Sequence, residues 1–92
     1  MYNFKPQSSR KLIDKYFSLQ WCKDNLIIPI SIESNSNKDI FWVAIANYSY
    51  LGTIAEPIKY RIKQDDPNIE IIFIEKSFKE IEEMLDKVSK PN

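Results

Sequence analysis

Few residues of this chain could do chemistry. Asp65-Asp66 and Glu82-Glu83 are adjacent carboxylates, the residue type that general acid–base catalysis uses. The first pair stands in a turn-forming run and the second on the polar side of a helical pattern. Neither has the apolar setting that would tune a carboxyl group, so both read as solvated faces. Cys22 is the one thiol, and a cysteine nucleophile wants a nearby base, yet the chain has no histidine. Beside Trp21 it reads as a half-buried thiol at a helix end. Ser8, Ser9, Ser49 and Ser77 likewise lack a histidine partner, which leaves them capping and turn roles. One cysteine and no histidine leave zinc without its usual ligands. Gly52 is the only glycine, so neither a phosphate-binding loop nor a dinucleotide-binding turn is present. The chain is therefore expected to be no enzyme, to hydrolyse no ATP and to hold no cofactor. Recognition is left. Trp42, Tyr48 and Tyr50, with Asn47, gather at the carboxyl end of an apolar run, where aromatic rings are placed to stack on a ligand or a partner. The alternative puts Trp42 in the core and packs the tyrosines over the start of the following helix.

The elements around that junction follow from period. Leu12, Ile13, Tyr16, Phe17 and Leu19 recur at helical spacing, which predicts a first helix over 9–20 with Ser8 or Ser9 as its N-cap. Lys5-Pro6 disfavours helix just ahead of it, so residues 1–8 are expected to form an extended arm. LIIPISIE (26–33) alternates as a strand, and Pro29 requires an unpaired side or a bulge there. The polar run Ser34 to Asp39 is expected to close a hairpin. IFWVAIA (40–46) is apolar on both faces and predicts a central strand, with Trp42 in the core. Leu51, Ile54, Ala55, Ile58 and Ile62 then form a helical stripe, with Thr53 and Glu56 spaced as a capping box and Pro57 in the first turn. IEIIFIE (69–75) reads as a third strand. Ser77 and Glu80 form a second capping box, ahead of a helix whose core face is Phe78, Ile81, Met84, Leu85 and Val88.

The expected fold class is α+β, a small three-stranded mixed sheet packed with three helices in the order α-β-β-α-β-α. A single domain spans 9–89 with a tail at 90–92, and the second and third strands should run parallel across a right-handed crossover. A chain of 92 residues holds one core, and 43% hydrophobic with 28% charged residues is a globular composition. Thirteen basic and thirteen acidic residues cancel, which gives no long-range pull toward nucleic acid or anionic lipid. No apolar stretch approaches the roughly 20 residues that span a bilayer, and the first residues lack a signal-peptide core. A reducing, cytoplasmic setting is expected.

A helix, then NLIIPISIE, then FWVAIANYSYLGTIAEPIKYRI, then IEIIFIEKSFKEIEEML resembles, over residues 9–89, the N-terminal accessory domain of type II secretion and type IV pilus assembly ATPases. Val43-Ala44-Ile45-Ala46-Asn47 matches the family's strand and turn, Ile28-Pro29 an apolar-proline pair in its first strand, and Ser77 to Leu85 its last cap and helix. Tyr48 stands where the family commonly has proline. The resemblance implies a non-catalytic docking or regulatory module that engages a protein partner, with Asn47, Tyr48 and Tyr50 as candidate contacts. The family's ATPase activity belongs to a downstream domain, and the segments with which some relatives bind cyclic di-GMP do not occur here. The alternative is a small-ligand or nucleotide sensor, a cyclic dinucleotide included, using the turn from Asn47 to Gly52.

Overall fold

A computed structural model of the chain describes residues 3–46 and 51–90. Helix α1 (Pro6–Tyr16) and helix α2 (Leu19–Asn25) precede the hairpin β1 (Ile27–Ser34) and β2 (Asp39–Ile45). A wide π-helical turn (Leu51–Ala55) runs into α3 (Glu56–Asp65), and β3 (Ile69–Glu75) and α4 (Phe78–Ser89) complete the chain. The class is α+β as expected, with four helices among the described residues instead of three.

The extra helix comes from splitting the first one. Phe17 leaves helical geometry, and the Ser18 hydroxyl accepts the Trp21 N–H to cap a new helix. One apolar stripe thus becomes two helices that turn separately onto the sheet. Helix α1 begins at Pro6, within the stretch 1–8 expected as an extended arm, because the fixed φ and missing N–H of proline suit a first helical position. Neither serine caps it. Lys5 is the N-cap, and Ser9 is wholly buried, its hydroxyl donating to the Pro29 carbonyl of β1.

The strands lie in the order β1-β2-β3, with β1–β2 antiparallel and β2–β3 parallel. The Asn35 carboxamide closes the hairpin by accepting the N–H groups of Asn37 and Lys38. The β1–β2 register shifts between Pro29 and Ser31, the irregularity that the proline demanded. Between β2 and β3 it runs unbroken from Asp39↔Ile69 to Ile45↔Glu75.

On the central strand Phe41, Val43, Ala44 and Ile45 are fully buried. Tyr16 and Phe17 set their rings 5.3 and 6.4 Å from that of Phe41. Trp42, expected in the core, is only half-buried, as are its partner Ile72 and nearby Ile74. Helical aromatics close over Phe41, so the fully buried ring of this strand is the neighbour of the one the apolar pattern singled out. Helix α4 packs on α1, α2 and β1 through Ile81, Leu85 and Val88. Its capping box forms as read, whereas Phe78 is 53% exposed and leaves the core face. At α3 the predicted Thr53–Glu56 box is absent. Thr53 lies inside the π-helical turn and Ala55 is the N-cap, with Pro57 in the first turn.

Candidate functional site

Asn47, Tyr48 and Tyr50 lie outside the described residues. What the structure does place is the turn that follows them, whose Thr53 and Ile54 form one wall of an open cleft of about 650 Å³. Pro57, Ile58 and Arg61 of α3 continue that wall. Phe17, Ser18, Trp21 and Asn25, from the α1–α2 link and α2, form the other.

Local structure fixes the second wall. The Ser18 cap starts α2 so that Trp21 turns back on Phe17, the rings stacked with centroids 5.7 Å apart. At the far end Leu26 takes the left-handed conformation, φ 52°, as the C-cap of α2. Glycine usually fills such a position, because a bulky side chain crowds the backbone there. Leu26 holds it by using both backbone groups. Its N–H donates to the Cys22 carbonyl, and its carbonyl accepts the Ala46 N–H at the end of β2. Asn25 is fixed as well, its side-chain amide donating to the Trp21 carbonyl at 2.9 Å.

The opposite wall supplies charge. Ile54, Ile58 and Arg61 follow one another at helical spacing, so the buried stripe of α3 ends at the cleft in a cation. The Arg61 guanidinium lies 5.9 Å from the Phe17 ring centre, where the ring's negative face attracts it. Arg61 has no carboxylate partner among the described residues, unlike Lys38, Lys59, Lys76 and Lys90, each of which does. The cleft therefore combines stacked aromatic surface, aliphatic surface and a cation available to a carboxylate or phosphate, with no general base among the described residues that line it.

Other candidates resolve into structural roles. Asp66 closes the α3–β3 turn, its carboxylate accepting the Asn68 N–H and its carbonyl the Ile69 N–H. Asp65, Glu82 and Glu83 are exposed, as read from the sequence. Cys22 is fully buried, not half-buried, and desolvation pushes its thiol from 9.0 up to about 12, which keeps it neutral and unreactive. A basic hollow between α1 and α4 contains Arg10, Lys11, Lys87 and Lys90. Arg10 there is engaged by Asp14 and the Val88 carbonyl, and Lys90 by Asp86. No three metal-ligating side chains cluster among the described residues, and no described helix is long and apolar enough to cross a membrane.

Phe17 and Trp21 are not brought together by a single helix over 9–20, and it is the break at Phe17–Ser18, with a new helix from Leu19 to Asn25, that stacks them beside Arg61. Ser18 was the available signal, a good N-cap residue in the middle of an apolar stripe. Comparison of the chain with protein-family models, with curated proteins and with solved structures gives no match, so its family is not assigned by likeness.

Proposed function

We propose that the chain is a non-catalytic protein-docking or regulatory module whose α2–α3 cleft takes an apolar partner segment carrying an acidic residue. The observation that carries this reading is Arg61, held over the Phe17 ring of the stacked Phe17–Trp21 pair in an open cleft and with no carboxylate partner among the described residues. Aromatic and arginine side chains are the residues that most often anchor protein interfaces. The resemblance to the accessory domain of secretion and pilus ATPases supports the same reading and implies a motor assembly as its setting. Tyr48 and Tyr50, just before the turn that walls the cleft, are the adjoining candidate contacts.

The second reading, a nucleotide or cyclic-dinucleotide sensor, draws on the same residues, since Trp21 can stack on a base and Arg61 can face a phosphate. The volume of the cleft lies within the range of small-ligand sites. One set of measurements separates the two. Proteins crosslinked to the chain in its native extract are purified and titrated against wild type, Arg61→Glu, Tyr48→Ala and Tyr50→Ala, and cyclic di-GMP and ATP are titrated in parallel. Docking is upheld when a purified partner binds wild type and is lost from Arg61→Glu at unchanged melting temperature. Binding of either nucleotide in an Arg61-dependent manner replaces docking with sensing. Phosphate release from ATP and magnesium that tracks the chain and vanishes in a point variant would overturn the non-catalytic part.

A further inference from the structure

A groove of about 490 Å³ runs between α1 and the outer edge of β1, and it shares no lining residue with the α2–α3 cleft. Ser8, Lys11, Leu12 and Lys15 form its helical wall, at the spacing of one helix face, with Lys5 at the N-cap. Ser31, Ile32 and Glu33 of β1 form the other wall. Leu12 and Ile32 are half-buried, whereas Lys5, Lys11 and Lys15 are exposed. Lys15 lies over the Tyr16 ring, 5.0 Å from its centre, and neither Lys5 nor Lys11 has a carboxylate partner among the described residues. Residues 5–16 carry Lys5, Arg10, Lys11 and Lys15 against Asp14 alone, and Arg10 takes that carboxylate. The zero net charge of the chain thus conceals a basic flank.

The ladder shows which backbone groups of β1 turn toward this groove. The Asp39 N–H donates to the Asn68 carbonyl and the Ile45 carbonyl accepts the Lys76 N–H, so odd-numbered residues of β2 direct their backbone groups to β3. Even-numbered ones direct theirs to β1. The partners of these are Ile28, Ser31 and Glu33, which leaves Ile27, Pro29, Ile32 and Ser34 turned to the outer edge. Pro29 bears this out, since its carbonyl accepts the buried Ser9 hydroxyl of α1. Up to the register shift, then, α1 closes the edge. Beyond it the N–H and C=O groups of Ile32 and Ser34 face outward, with no strand beside them among the described residues.

We propose that this groove takes an extended, acidic peptide segment of a partner protein as an added strand on the β1 edge. Main-chain hydrogen bonds to Ile32 hold the segment. The peptide residue opposite Ile32 shares its sheet face, which is the face of Phe41, where the Tyr16 ring of α1 lies 5.3 Å away. That residue is apolar, because Leu12 and Ile32 are what it meets. The residues two positions to either side point to the same face, and there the lysines of α1 call for carboxylates. Glu33 directs its side chain to the opposite face, as strand alternation requires, and has an interaction of its own. A phosphate polymer would satisfy the lysines and leave the strand edge unpaired, so the outward backbone selects a peptide. The groove is distinct from the α2–α3 cleft and stands whether or not the cleft binds a partner.

The probe is a short, labelled, end-blocked peptide with a central valine, aspartate two positions to either side of it and threonine elsewhere. Wild type should bind it at low salt with a Kd below about 1 mM. Lys5→Glu and Lys11→Glu should each weaken binding at least about fivefold, and a peptide with lysine in place of aspartate should not bind. N-methylation of the valine removes its N–H and should weaken binding to wild type at least about tenfold, a readout that needs no variant to fold. Hydrogen exchange at the Ile32 amide should slow at least about tenfold when the peptide saturates the chain. Arg61→Glu should leave the affinity unchanged, and a loss there would assign the peptide to the α2–α3 cleft and overturn the proposal. No binding, exchange at Ile32 that stays fast, or an oligothymidylate that binds more tightly than the peptide overturns it as well. A wild-type chain that sediments as a dimer and becomes monomeric in Lys11→Glu would put a second copy in the groove instead.

Discussion

The two outer strands of this sheet are built on opposite terms. β1 carries a proline and a register shift, helix α1 packs along it, and the buried Ser9 hydroxyl ties helix to strand at the Pro29 carbonyl. Ile27, Ile28, Pro29 and Ile30 are all buried. β3 has neither proline nor register shift against β2, and although Ile69 and Ile71 are buried, its residues from Ile72 to Ile74 are half-buried. Both sequences read as apolar strands, so composition does not make the difference. It lies in where the helices go. α1, α2 and α4 all pack against β1, whereas α3 is the helix resting on β3. Burial, and with it stability, is concentrated on one flank, and the other leaves Ile72, Phe73 and Ile74 half-buried.

Core truncation on the two flanks tests this contrast most severely. Ile13 on α1 is fully buried against the β1 side, and Ile13→Ala should cost about 2–5 kcal/mol. Ile72→Ala on β3 removes a half-buried side chain of the same size and should cost roughly 1–2 kcal/mol. Urea midpoints measured at low protein concentration compare the two directly. Equal losses would break the contrast. Ser9→Ala comes next: it leaves the Pro29 carbonyl without its buried donor and should cost about 1–3 kcal/mol, read in the same unfolding experiment. A neutral result would show that α1 is held to β1 by apolar contact alone.

Much of this arrangement was legible in the sequence, and the exceptions have causes. Three strands, the Pro29 irregularity, the parallel β2–β3 pair and the Ser77–Glu80 cap all follow from period, proline chemistry and local hydrogen bonding. Those signals act within a few residues. The break at Phe17–Ser18 does not, because a local stripe was continuous and the tertiary contacts of Phe17 with Phe41 and Trp21 decided otherwise. The same break builds the cleft, so the site was less legible than the fold. Trp42 and Phe41 illustrate the remaining ambiguity. A strand apolar on both faces does not say which face the helices will close, and the larger side chain proved the less buried.

Cys22 gives a pH-dependent test of the closed flank. Its thiol titrates near 9.0 when unfolded and about 12 when folded, so the folded state binds the extra proton between these values. Stability from this group is fully present below pH 9 and is lost as pH rises toward 12. Cys22→Ala should flatten the alkaline fall in melting temperature over that window. The thiol should also resist alkylation at pH 8 until the chain is unfolded. Rapid labelling of folded protein would show that the β1 flank opens easily.

The smallest effect belongs to the open flank, at the ion pair that links the start of β2 to β3. Lys38 Nζ lies 2.9 Å from Glu70 Oε2, with both side chains nearly half exposed. The hydrogen bond from Lys38, then its charge, holds the Glu70 carboxyl below its ordinary 4.5, with Lys63 adding to the effect from farther away. A lowered folded pKa means that this contribution is present above pH 4.5 and is lost as pH falls through the lower value. Solvent screens such a pair, so its removal should barely move the melting temperature. The carboxyl itself is the sensitive reporter. Lys38→Met should raise the Glu70 titration midpoint, followed by its side-chain carbon shift in NMR, toward the ordinary value at low salt. High salt should shift the wild-type midpoint the same way. A midpoint that neither Lys38→Met nor salt moves would show that the pair does not hold in solution and that β2 and β3 are joined there by the backbone ladder alone.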